Sequence, residues 1–129
     1  MEEGPIGEIG WIQIDCADPD RLRAFWAALL HLAPDPSNTP AAYRCLVGRD
    51  GCPGMCFQRV PESKTVKNRV HLDIVVSNLD AATTRITELG GARRGEHADF
   101  HEDGWHWRVM ADPEGNEFCL VPTTEGVPS

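Results

Sequence analysis

The sequence predicts an α+β fold built from two tandem β-α-β-β-β modules, at about residues 8–60 and 68–122. Three observations predict it. The chain matches itself at a fixed offset of 60 residues, with Trp11 over His71. Each copy passes from a period of two to helical spacing at an N-cap residue, and each closes with strand-like pieces around a glycine turn. A fixed-period self-match identifies the building unit before any residue-level assignment.

The repeat begins with Trp11-Ile12-Gln13-Ile14-Asp15-Cys16 over His71-Leu72-Asp73-Ile74-Val75-Val76, both alternating as strands do. The register continues without a gap through Asp20 over Asp80 and Leu29 over Leu89. In the first copy Asp18 caps a helix, Pro19 takes its first position, and Leu22, Phe25, Trp26, Leu29 and Leu30 form one apolar stripe. Pro34 and Pro36 are expected to stop it. In the second copy Asn78 caps, Leu79, Ala82, Ile86 and Leu89 share a face, and Gly90-Gly91 supply a left-handed ending. Strands are then expected over 42–47 and 55–60, and over 104–110 and 116–121. The turns between them are Arg49-Asp50-Gly51 and Asp112-Pro113-Glu114-Gly115. A unit of this size buries too little surface to stand comfortably alone, so the modules are expected to form one domain with a shared core. Residues 122–129 read as a frayed tail.

The whole chain has 129 residues, 41% hydrophobic and 25% charged, as in ordinary globular domains. Twelve basic and twenty acidic residues give a net charge of -8, which repels polyanions and argues against nucleic acid as a partner. No apolar run approaches the ~18 residues of a membrane span. Met1-Glu2-Glu3-Gly4-Pro5 lacks the features of a signal peptide, so a cytoplasmic location is expected. Cys16, Cys45, Cys52, Cys56 and Cys119 are an odd, scattered set without a CxxC pair, which predicts free thiols in a reducing compartment. Convergence of Cys45, Cys52 and Cys56 on a metal is the weaker alternative.

Several motifs together carry a family resemblance. They are Ile14-Asp15-Cys16-Ala17-Asp18-Pro19 ahead of Phe25-Trp26, then Asn68-Arg69-Val70-His71-Leu72-Asp73, and finally Asp112-Pro113-Glu114-Gly115-Asn116-Glu117-Phe118 in the last hairpin. A duplicated unit with these motifs resembles the vicinal oxygen chelate superfamily of glyoxalases, bleomycin-resistance proteins and extradiol dioxygenases. Within it the sequence is most similar to the small glyoxalase-like domain branch. The resemblance implies a curled, cup-shaped mixed sheet with helices outside, a homodimer, and a divalent metal held by four side chains from equivalent strands. Carried over by position, those places fall on Trp11, His71 and Cys119, with the fourth on Phe57, or on Gln58 if the hairpin register slips by one. Trp11 offers only an N–H and Phe57 nothing, so a metal-free member without a cofactor is expected.

Alternation along the first strand of the second module turns Val70, Leu72 and Ile74 toward the helices and His71, Asp73 and Val75 away from them. His71 is then either a buried histidine satisfied by Asp73 or a backbone carbonyl, or an acid, base or hydrogen-bond donor tuned by Asp73. Both residues are the candidate catalytic groups. Trp11 and Gln13 are expected to line a small-molecule pocket together with Phe57, Gln58, His71, Asp73 and Cys119. The run His97, His101, Glu102, Asp103 and His106, bracketed by Gly95 and Gly104, reads as a solvated loop. Of the flanking Trp105 and Trp107, one is expected to face the core. The function expected is therefore metal-independent binding of a small organic molecule. The alternative is a lyase, isomerase or cyclase in which His71 moves a proton, and a metal-dependent glyoxalase or dioxygenase is least supported. No phosphate loop, dinucleotide fingerprint or nucleophilic triad is present.

Overall fold

The computed structural model describes residues 4–37, 41–95, 98–102 and 104–123. The chain divides into two compact units, Met1–Pro61 and Glu62–Ser129.

The first unit runs β1 (Trp11–Cys16), α1 (Pro19–Leu30), β2 (Tyr43–Leu46) and β3 (Gly54–Arg59). Its sheet has the order β1-β3-β2, with β1 parallel and β2 antiparallel to β3. Helix α1 starts where expected: the Asp18 carboxylate accepts the Arg21 backbone N–H at 3.1 Å, and Pro19 occupies the first turn. Its end differs. His31 adopts a left-handed conformation at φ 55° and closes the helix before either proline is reached. Pro34 instead forms a bridge to Leu46, and the Asp35 N–H donates to the Cys45 carbonyl at 3.0 Å, so this segment extends the edge beyond β2. Leu22, Phe25 and Trp26 are buried from α1, with Leu46, Met55 and Phe57 buried from β2 and β3. Each such side chain contributes about 1.5–3 kcal/mol when taken out of water. Phe25 and Trp26 meet edge to face at 5.6 Å.

The second unit runs β4 (Leu72–Val76), α2 (Leu79–Glu88), β5 (Ala92–Arg93), β6 (Asp99–Glu102), β7 (Trp105–Ala111) and β8 (Glu117–Pro122). The sheet order is β4-β8-β7-β5, and β6 also pairs with β7. Strand β4 is parallel to β8, which is antiparallel to β7. Each unit thus sets its first strand parallel to its last and the preceding strand antiparallel. Asn78 caps α2 by accepting the Ala81 N–H at 2.8 Å. Of the expected glycine pair only Gly90 has a positive φ, 105°. The turn glycines Gly51 and Gly115 are left-handed as their turns require. Asp112 holds the second turn by accepting the backbone N–H of Glu114 and Asn116 at 2.9 and 3.0 Å.

Three further expectations are corrected. The segment before Gly104 is not a loop: Phe100 opposes Trp107, His101 opposes His106 and Asp99 opposes Arg108, and these cross-strand pairs make β6. Gly104, at φ 83°, makes the turn into β7. Pro122 closes β8 rather than opening a tail, and the Thr123 N–H donates to the Val76 carbonyl at 2.9 Å. Two cysteines expected as free thiols, Cys45 and Cys56, form a disulfide because β2 and β3 place them directly opposite each other. Cys16, Cys52 and Cys119 are not in disulfides. His97, Asp103, residues 38–40 and residues 124–129 lie outside the described residues. Among the described residues no helix is long and apolar enough to cross a membrane.

Candidate functional site

On β4 the alternation sets Leu72, Ile74 and Val76 half-buried and Asp73 and Val75 exposed, with exposed His71 just ahead of the strand. Val70, expected to pack on a helix, is 80% exposed because β4 begins only at Leu72. The parallel register places Asp73 beside Cys119 of β8. The ligating atoms of His71, Asp73 and Cys119 all lie within 4.8 Å of one another. His71 is exposed, so the buried, satisfied histidine does not describe it. Cys119 is buried. Burial, followed by the charge of Asp73 and its hydrogen bond to the thiol, pushes the Cys119 thiol up to about 11. It is therefore a protonated donor at neutral pH rather than a thiolate.

Buried Glu117 fixes this cluster. Its N–H donates to the Asn68 side chain at 2.9 Å, and its carboxylate is met by Lys67 at 2.5 Å and by Arg94. The Lys67 hydrogen bond, reinforced by that of Arg94, holds the Glu117 carboxyl below its ordinary range despite burial. The segment leading to His71 is thereby tied to the start of the strand that carries Cys119.

The same sheet face continues across β8, β7 and β6. Val75 pairs with Val121, Cys119 with Val109, and Trp107 with Phe100. Trp105 and Trp107, two residues apart on one strand, share this face, so neither takes the core position expected for one of them. Trp107 is half-buried and stacks on Phe100 with centroids 5.5 Å apart and planes 12° apart. On the opposite face, toward α2, buried Arg108 donates twice to Asp99 at 2.7 and 2.9 Å and reaches Thr83 and Asp80 at 2.8 and 3.2 Å. Sequence reasoning missed both the aromatic pair and this anchor. Alternation alone could have put both tryptophans together, but the partner of Arg108 depends on a β6 register that no local pattern encodes.

In the first unit Trp11, Gln13 and Asp15 are exposed on one face of β1. Register pairs Gln13 with Cys56 and Asp15 with Gln58, while Phe57 pairs with Ile14. Gln58 therefore shares the Trp11 face, whereas fully buried Phe57 points to the α1 side and cannot line a ligand site. The counterpart of Cys119 is neither of them. It is Cys56, which stands beside Gln13 as Cys119 stands beside Asp73. The Trp11 indole lies against Gly54, where an added Cβ would come within 2.7 Å of its Cδ1. A shallow pocket of about 430 Å³ borders this tryptophan, with Asp35, Val47, Arg49, Asp50 and Cys52 around it. It includes none of the other expected site residues.

A model of the glyoxalase-like domain matches residues 11–121. The chain belongs to the glyoxalase-like domain family. The domain is 26% identical, over 126 residues and 98% of its length, to the anthracycline biosynthesis protein DnrV of Streptomyces peucetius, of which it spans 45%. Among solved structures it resembles the fosfomycin resistance protein FosX of Listeria monocytogenes, complexed with Mn(II) and 1S,2S-dihydroxypropylphosphonic acid. That match has a TM-score of 0.72 and 16% identity, covering 93% of this chain and 94% of the other. A glyoxalase/bleomycin resistance protein from Albidiferax ferrireducens T118 gives a TM-score of 0.62 at 18% identity, covering 89% and 98%. The fold is the α+β glyoxalase/bleomycin resistance fold.

A four-donor divalent site does not fit the residues present in this glyoxalase-like domain. The two positions in the first unit carry Trp11, which has no lone pair to give, and Cys56, which is tied to Cys45. The second unit offers three donors, His71, Asp73 and Cys119, whose ligating atoms lie within 4.8 Å of one another. Hard ions such as manganese prefer oxygen donors in greater number.

Proposed function

We propose that this glyoxalase-like domain binds a small organic molecule on the sheet face formed by β4, β8 and β7, without a resident metal or cofactor. The observation that carries the reading is the convergence of His71, Asp73 and Cys119 beside apolar residues of the same face, exposed Val75 and buried Val121. A few polar groups set in an apolar wall are what small-molecule sites share. His71 can donate or accept a hydrogen bond, Asp73 accepts, and the Cys119 thiol backs the carboxylate.

A second reading rests on the exposure of His71 beside a carboxylate. In it the imidazole accepts a proton from the bound molecule and returns it elsewhere, as in a lyase, isomerase or cyclase. We further propose that the two units make one domain, supported by a family match that runs through both. A cytoplasmic homodimer completes the reading, although the Cys45–Cys56 disulfide weighs against a reducing compartment.

The test combines metal analysis and native mass spectrometry of the purified chain with the variant His71→Ala. The reading expects no stoichiometric metal after gel filtration. It also expects binding of a co-purified or screened small molecule to weaken by about tenfold, or 1.4 kcal/mol, with the melting temperature unchanged. Stoichiometric zinc, nickel, iron or manganese would overturn metal independence. Unchanged affinity in His71→Ala would overturn the site.

A further inference from the structure

We propose that residues 4–9 of one copy of this chain dock on residues 64–70 of a second copy, so that two copies exchange acidic, apolar N-terminal arms. The inference deepens the homodimer reading and rests on it. Residues 1–10 carry Glu2, Glu3 and Glu8 and no basic group. Residues 4–10 are exposed throughout and belong to no helix or strand. Ile6 is fully exposed and Ile9 is 78% exposed. A Cβ added at Gly4, Gly7 or Gly10 would meet nothing within 4 Å, so the arm is packed against nothing. Two isoleucines left in water are apolar surface that a partner can remove from it.

The receiving segment has the same chemistry with the opposite sign. Lys64, Lys67 and Arg69 fall within six residues with no acid between them, although the chain holds twenty acidic and twelve basic residues. All three are exposed, and Val66 and Val70 beside them are 74% and 80% exposed. Arg94 adds a further cation. It and Lys67 share the single buried Glu117 carboxylate, which leaves one positive charge over. Copies of net charge -8 repel each other, so their association needs a local meeting of opposite signs, which the arm and this segment supply. The order of groups matches as well. Glu8 lies between Ile6 and Ile9, as Lys67 and Arg69 lie between Val66 and Val70. At about 3.3 Å per extended residue the apolar anchors stand about 10 Å apart on the arm and about 13 Å apart on the segment, so both are covered at once. The occupant is a second copy because each chain carries both halves, and a two-fold axis then makes the contact twice. Lys67 and Asn68 hold the start of β8, and Val70 precedes His71, so the docked arm borders the proposed ligand site.

The test measures the mass of the full chain by light scattering and sedimentation equilibrium across the micromolar range. A dimer is expected. Ile6→Ser combined with Ile9→Ser should weaken it by about a hundredfold, and Glu8→Arg or Arg69→Glu by about tenfold each. The sharpest sample mixes the Glu8→Arg chain with the Arg69→Glu chain. Each alone sets like charges against each other, whereas the mixed pair makes one native and one reversed ion pair, so dimers should return to within about threefold of the parent affinity. All four positions are exposed, and circular dichroism checks that each variant is folded. A chain that stays monomeric at every concentration would overturn the inference and the homodimer together. A dimer indifferent to the paired isoleucine change would overturn the inference and leave the homodimer standing, as would a mixture no tighter than its separate variants.

Discussion

Asp99→Asn removes one carboxylate from a cluster of cations and should cost the second unit about 2 kcal/mol. Asp99 meets Arg108 at 2.7 and 2.9 Å and Arg93 at 3.1 Å, with His106 at 3.6 Å. The hydrogen bond from Arg108, ahead of the attraction of Arg108 and Arg93, lowers its carboxyl from 3.8 to about 2 against the opposing effect of burial. At 1.36 kcal/mol per pKa unit the ionised carboxylate stabilises the folded state by about 2 kcal/mol. Removing one partner of a fully buried pair costs about 3–5 kcal/mol. The smaller figure is preferred, because Asp99 is 29% exposed and Asp80 still meets Arg108 at 3.2 Å. The sign follows from a lowered folded-state pKa. The stabilisation is complete above 3.8 and is lost as pH falls from there toward 2. Urea denaturation followed by tryptophan fluorescence should therefore show a gap of about 2 kcal/mol between the native chain and Asp99→Asn at pH 6. The gap should narrow steadily below pH 4. Because Asp99 and Arg108 adjoin Phe100 and Trp107 on the same two strands, the near-ultraviolet dichroism of the stacked pair should weaken as well. A gap below about 0.5 kcal/mol, the ordinary range for surface changes, or one that stays constant into acid, would refute this reasoning.

Three other outcomes follow from the same structure. At pH 8 a thiol reagent should modify half-buried Cys52 well before Cys119, whose pKa is pushed up to about 11 by burial and then by Asp73; simultaneous modification would contradict the protonated, buried thiol. Gly54→Ala should displace the Trp11 indole, visible as a shift in its emission, and cost about 1–3 kcal/mol, since the new Cβ would lie 2.7 Å from Trp11 Cδ1; an unchanged spectrum would show that Trp11 does not lie on Gly54. Cys45→Ser should lower stability by about 2–3 kcal/mol under oxidising conditions only, because the bridge closes a short loop of sequence separation 11, and equal melting curves with and without reductant in the parent would contradict the disulfide.

What the sequence made legible was local and periodic. Asp18 and Asn78 mark both helix starts because a side-chain cap acts within three residues. The alternation of β4 placed Asp73 outward for the same reason. What it hid depended on pairing between distant strands. A 62-residue offset pointed to Phe57, yet the β1–β3 register makes Cys56 the counterpart of Cys119, because the loops before β3 and β8 differ in length. Cys45 and Cys56 looked unpaired until β2 and β3 set them opposite. The β6 segment looked like a loop because Gly95 and Gly104 flank it, while its strand character comes from partners on β7. Nothing local distinguishes Arg108, which supports the aromatic face from behind, from any other strand arginine.

The central claim, that the β4–β8–β7 face is the ligand site, is tested most directly by nuclear magnetic resonance of the isotope-labelled full chain against a fragment library. Fragments that bind should perturb the His71 ring and the backbone amides of Asp73 and Cys119, and these shifts should vanish in His71→Ala. Fragments that instead perturb Trp11, Arg49 and Cys52 around the shallow pocket of the first unit, while His71 stays silent, would contradict the account.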